Sequence, residues 1–167
     1  MLTVQQINSS SDDELFSLLA KELEAKIPAD RSSPEFLEQI CHLPVGLRAM
    51  AATYELDVSL TMDDMGWHFG NWHSAELAEE TALGLEELGA LDLAKVFRQA
   101  FQLAQRCWIE LGSEHWMDWY LGSDFEKETS PLSEEAWSIL QDKKRGIFDY
   151  WIDYARKDPG RVGVNAP

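Results

Sequence analysis

The side chains best suited to chemistry in this sequence are His68 and His73, which share one short stretch with Asp63 and Asp64. Imidazole and carboxylate together suit zinc or manganese. The stretch has neither an HExxH run nor a Glu-x-x-His pair, the spacings that put metal ligands on one helical face. No metal and no cofactor are therefore expected, and His68, His73, Trp67, Phe69 and Trp72 are expected to pack or cap a loop. Asp63 and Asp64 could share a proton for acid–base work, but in so acidic a chain adjacent carboxylates arise by chance. Cys41 and His42, neighbours in sequence, point apart on a helix. No serine lies in a nucleophile elbow and no glycine loop precedes Lys-Ser or Lys-Thr. An enzyme is not expected.

Trp108, Trp116, Trp119 and Tyr120 could form a stacking platform for single-stranded nucleic acid. Such platforms line basic grooves, and no Lys or Arg lies between Arg106 and Lys127. Direct nucleic-acid binding is therefore not expected. Cys41 and Cys107, the two cysteines, read as reduced, buried thiols.

The elements that must position these residues read as helices. Ser11-Asp12-Asp13-Glu14 is a capping box, so a helix is expected over residues 12–26, ended by Pro28. Ser33-Pro34 opens a short helix toward Cys41, and Pro44 starts another with Leu47, Met50, Ala51, Tyr54 and Val58 at helical spacing. Residues 65–73, with two glycines, read as a break; Ser74 then caps a helix over 75–88, with Gly89 just past its end. Leu93, Val96, Phe97, Ala100, Phe101, Leu103, Ala104, Cys107 and Trp108 make an apolar stripe broad enough for a central buried helix. Residues 112–131 read as irregular. Ser133 opens a last helix with Trp137, Leu140, Ile147, Trp151 and Tyr154 on one side.

With no strand pattern, repeat or linker, the expectation is a single all-α domain over residues 1–167. It should hold about six helices around a central buried one, with residues 158–167 a flexible tail. Neither a signal peptide nor a long apolar span is read, so a cytoplasmic protein without membrane contact is expected.

Thirty acidic residues against 14 basic ones give a formal charge of −16, which attracts basic partners and repels nucleic acid and anionic lipid. Between Arg48 and Lys95 no Lys or Arg occurs, yet Glu55, Asp57, Asp63, Asp64, Glu76, Glu79, Glu80, Glu86, Glu87 and Asp92 do. At 100° per residue the five glutamates of the 75–88 helix fall within an arc of about 120°. They are spaced at about one charge per 3–4 Å, near that of a DNA strand. Glu86 and Glu87 sit at the helix end where the macrodipole disfavours them, so stability alone would not choose them. Leu83 lies in the middle of the arc, like the apolar centre of a binding surface. The expected partner-binding residues are Asp63, Asp64, Glu76, Glu79, Glu80, Leu83, Glu86 and Glu87.

The stretch from Leu56 to Gln105 carries Asp63-Asp64-Met65-Gly66-Trp67 at a turn. Asn71 and Ser74 follow in an aromatic run, then a Glu-Leu-Ala-rich helix and a Gly89-Ala90 junction. With the ending Tyr150-Trp151-Ile152-Asp153-Tyr154-Ala155-Arg156, it resembles the bacterial DNA-mimic-protein-nineteen-like family, a domain of unknown function. Aspartates stand where that family has asparagines, and Met65 where it has a glycine. The resemblance implies an all-helical fold without catalysis. For the founding member it implies a DNA-like acidic surface that occupies the DNA-binding site of a transcriptional regulator. The partner expected here is accordingly a basic DNA-binding protein. The alternative is an immunity-type or assembly module that binds through its aromatic loops, with acidity serving solubility.

Overall fold

The computed structural model describes residues 2–163. Several helix starts are set by short polar side chains that accept the backbone N–H groups a first turn leaves free. Thr3 caps α1 (Val4–Ser9) and Ser11 caps α2 (Asp12–Glu24), each in a capping box, with Gln6 and Glu14 reaching back. Proline opens α3 (Pro34–Cys41), and Pro44 precedes α4 (Val45–Met62). Asp64 caps α5 (Met65–Asn71) and Ser74 caps α6 (Ala75–Glu87). α7 (Leu91–Arg106), the short α8 (Trp108–Leu111) and α9 (Trp116–Tyr120) follow. Ser123 caps α10 (Asp124–Leu140), α11 (Phe148–Lys157) comes next, and a 3₁₀ turn over Pro159–Val162 closes the chain.

The fold is all-α, with eleven α-helices among the described residues instead of about six. Some of the added helices have a local cause and others a tertiary one. α1 rests on the Thr3–Gln6 capping box. The supposed break at 65–73 is α5, whose glycines are close-approach sites. A Cβ on Gly66 would lie 2.6 Å from Tyr120 Cε2, and one on Gly70 would run into the Trp116 ring, 2.6 Å from its Cη2. The supposedly irregular 112–131 holds α9 and the start of α10, where the Ser123 hydroxyl accepts the Glu126 N–H at 3.0 Å. Ser133 is no cap: it lies buried inside α10, and its hydroxyl accepts the Met65 N–H at 3.0 Å. Pro131 stands within α10, which keeps Phe125, Thr129, Ser133 and Ala136 on its buried side. The expected last helix is two, parted at residues 141–147, where Gly146 has φ +58° and the buried Asp57 carboxylate accepts the Ile147 N–H at 2.6 Å.

The central position expected of α7 is shared with α4. Buried Gly46, Ala49, Ala51 and Ala52 let neighbours come close, and α4 packs against α3, α5, α6, α10, α11 and the 3₁₀ turn. α7 buries Leu93, Val96, Phe97, Ala100, Phe101 and Ala104 against α5, α6 and α10. Buried polar groups are matched: Trp151 Nε1 donates to Thr53 Oγ1 at 3.0 Å, and His68 Nδ1 lies 3.0 Å from Ser59 Oγ. Part of the stretch expected as a flexible tail is ordered, since Val162 is buried beside Gly46, whereas residues 164–167 of that tail lie outside the described residues. Cys41, expected inside, is exposed. Cys107 is half-buried, and burial pushes its thiol up to about 11. Among the described residues no helix is long and apolar enough to cross a membrane.

Candidate partner-binding surface

α6 carries most of the expected surface. Leu77, Ala78, Thr81, Ala82 and Leu85 bury its inner side against α4 and α7, and the Thr81 hydroxyl donates to the Ala52 carbonyl at 2.9 Å. Gly84 sits where a Cβ would lie 3.0 Å from the Ala49 carbonyl oxygen, so α4 and α6 meet almost backbone to backbone. Gly89, at φ +80°, closes the helix: its N–H donates to Glu86, and that of Ala90 to Leu85. Glu76, Glu79, Glu80, Leu83, Glu86 and Glu87 are thereby turned outward.

Sequence had left these glutamates without a nearby cation, and the tertiary structure supplies three. Arg48 from α4 grips Glu80 through two nitrogens at 2.5 and 2.7 Å. Arg98 from α7 bridges Glu79 at 3.0 Å and Glu86 at 2.9 Å. Glu87 takes Arg161 at 2.8 Å and the Tyr154 hydroxyl, whose titration burial and this carboxylate push upward. Only Glu76 of the five is in no ion pair among the described residues. Five glutamates against three arginines leave the face with a net charge of −2.

Leu83 is 44% exposed and has company. With Val45, Ala49 and Gly84 it lines a groove of 450 Å³ between α4 and α6, edged by Arg48, Glu80, Glu86 and Glu87. An apolar floor with a charged rim is the anatomy of a protein-binding patch. Asp63, exposed at the end of α4, remains free to face a partner. Asp64 is engaged internally: its carboxylate accepts the Trp67 N–H at 2.9 Å and the Tyr120 hydroxyl at 2.8 and 3.0 Å.

The residues weighed for chemistry are dispersed. His68 is fully buried and desolvation lowers its titration to about 3, while His73 Nε2 lies 2.8 Å from the Trp108 carbonyl under the Trp108 ring. Among the described residues no three His, Cys, Asp or Glu side chains cluster as metal ligands. Trp67, Trp116 and Tyr120 pack on one another, and Phe69 stacks on Phe101.

A second acidic region lies on α8 and α9. Glu110, Glu114 and Asp118 are exposed and in no ion pair among the described residues, and Ile109, Met117 and Leu121 are exposed between them. These apolar positions were missed because aromatic density suggested packing; the signal available was the absence of any base beside them. Across the molecule all seven arginines are held in ion pairs with the chain's own carboxylates.

The model of the DMP19-like protein family matches residues 41–158, the stretch that contains α4 to α11 and the groove. The chain belongs to the DMP19-like family. No curated protein and no solved structure matches it. The matched stretch contains every expected partner-binding residue, and α1, α2 and most of α3 precede it.

Proposed function

We propose that this DMP19-like protein is a non-catalytic, acidic binding protein of the cytoplasm that covers the cationic DNA-contacting surface of a basic DNA-binding protein, such as a transcriptional regulator. The observation that carries the reading is the disposal of charge. Every arginine is consumed internally, while exposed Asp63, Glu76, Glu110, Glu114 and Asp118 are in no ion pair among the described residues. A surface of this kind repels phosphate and draws a partner's Lys and Arg. The α4–α6 groove supplies the apolar centre, with Leu83 and Val45 in its lining and Glu86 on its rim, and the pairing of Glu86 and Glu79 with Arg98 is exposed and easily exchanged. The DNA mimicry implied for the family's founding member is the form this binding would take.

The test is affinity capture from the source cell with wild type and with a variant carrying Asp63→Asn, Glu76→Gln, Glu79→Gln and Glu86→Gln, at low and high salt. A DNA-binding protein held only by wild type, and released by salt or by duplex DNA, supports the reading. Equal capture by both proteins rejects it.

One observation favours the alternative of an aromatic contact. Half-buried Trp72, with Pro34, Leu37, His73 and Leu77, lines a cavity of 570 Å³. Salt-insensitive capture lost in Trp72→Ala would select that face instead.

A further inference from the structure

A further cavity, of 480 Å³, lies between the end of α7, α9 and the start of α10, and shares no lining residue with the α4–α6 groove. Leu103 and Cys107 form one wall, Trp119 and Leu121 another, and Phe125 the third. Leu121 is 63% exposed, and Met117, four residues before it on the same helical edge, is 50% exposed; Ile109 on α8 reaches 87%. No other stretch of the described chain exposes so many large apolar side chains so close together. Such a patch marks an interaction surface.

Its surroundings select the partner. Residues 107–126 contain no Lys or Arg. Burial raises the Cys107 thiol most; Glu110 and Glu128 raise it further, and Arg106 alone among the nearby charges lowers it. Arg106 crosses to Glu128 at 2.9 Å and Lys127 to Asp124 at 3.0 Å, but all four side chains are well exposed, and incoming cations can take the place of Arg106 and Lys127 at little cost. The site is also preformed. The Trp116 ring lies against Gly70 and 4.8 Å from the Trp67 ring, which pins α9 to α5.

We propose that this crevice docks a cationic protein segment, seating one large apolar side chain among Cys107, Trp119, Leu121 and Phe125 while neighbouring lysines or arginines meet Glu110, Asp124 and Glu128. A second copy of the chain is a poor occupant, because it brings further carboxylates to an acidic rim. The proposal goes beyond the α6 surface and stands or falls apart from it.

The test uses Cys41→Ser protein, in which Cys107 is the single thiol, and a helical peptide of leucine and lysine at i, i+4 spacing. A control peptide of equal charge has alanine for leucine. The leucine peptide is expected to slow maleimide modification of Cys107 and to bind about tenfold more tightly than the control. Leu121→Ser, on a surface position, removes that preference, whereas Glu76→Gln with Glu79→Gln and Glu86→Gln leaves it intact. Equal binding of the two peptides, or unprotected Cys107, overturns the proposal. Protection that appears without peptide as protein concentration rises also overturns it, by making a second copy the occupant. Loss of preference in the α6 variant would mean that the peptide sits on α6 instead.

Discussion

Asp57 and His68, both packed against the core, titrate in opposite senses. Desolvation lowers His68 to about 3, so the folded protein binds fewer protons there than the unfolded chain between about pH 3 and 6.5. Its contribution is present above that window and is lost as pH falls. Burial raises Asp57 from 3.8 to about 6 against the pull of the Ile147 N–H, so its contribution is present below about pH 3.8 and lost as pH rises through 6. Asp57→Asn keeps an acceptor for Ile147 without the charge. Its stability relative to wild type should therefore rise between pH 4 and 7 by up to about 3 kcal/mol, read from melting curves at each pH. A constant difference would mean that Asp57 titrates ordinarily in the fold. Gly66 offers a steric test at the same scale. A Cβ there would lie 2.8 Å from Thr129 Oγ1 and against a Tyr120 ring tied to Asp64, so Gly66→Ala should cost about 1–3 kcal/mol. Gly160→Ala, whose Cβ meets nothing within 4 Å, is the control.

At the scale of elements, α6 is a helix whose outer charge is metered by its neighbours. Arg98 holds Glu79 and Glu86 in pairs exposed enough that Arg98→Gln should change stability by less than about 1 kcal/mol. The same change moves the net charge of the face from −2 to −3 by freeing both carboxylates. Tighter low-salt binding of the basic partner to this variant is the expected outcome; unchanged affinity would place that partner off α6. Arg48 is different, because its two-nitrogen grip on Glu80 lies in the groove wall with Glu80 largely covered. Arg48→Met strips a partly buried carboxylate of its partner and should lower stability by about 1–3 kcal/mol, read as a lower melting temperature.

For the whole molecule, a charge of −16 on 167 residues means that self-repulsion acts on the fold at neutral pH. Raising salt from 10 to 150 mM shortens the Debye length from about 30 to about 8 Å. The melting temperature is expected to rise over that range, since the excess of like charges outnumbers the pairs that screening weakens. A falling melting temperature would mean that the arginine pairs dominate instead.

Much of the chain declares itself locally. Ser11 with Glu14, Pro34, Ser74 and Gly89 mark helix ends with groups whose bonding partners lie within a turn, so those boundaries are legible from spacing alone. The inner side of α6, with Leu77, Ala78, Thr81 and Leu85, is legible for the same reason: helical periodicity sorts residues by face before any partner is known. The Ser123 cap is equally local but is masked by Pro131, whose cost inside α10 is offset by the burial of Phe125 and Ala136. Two things no local pattern could supply. Gly66 and Gly70 look like breaks until Tyr120 and Trp116, some fifty residues away, arrive to need the space. The glutamates of α6 look uncompensated until Arg48, Arg98 and Arg161 converge on them from three other elements. Sequence by itself determined the capped helix ends, the buried faces of α6 and α7 and the total charge, because these depend on neighbours along the chain. Tertiary structure decided which charges remain free and where apolar side chains stay exposed among them, because Coulomb's law and burial act through space.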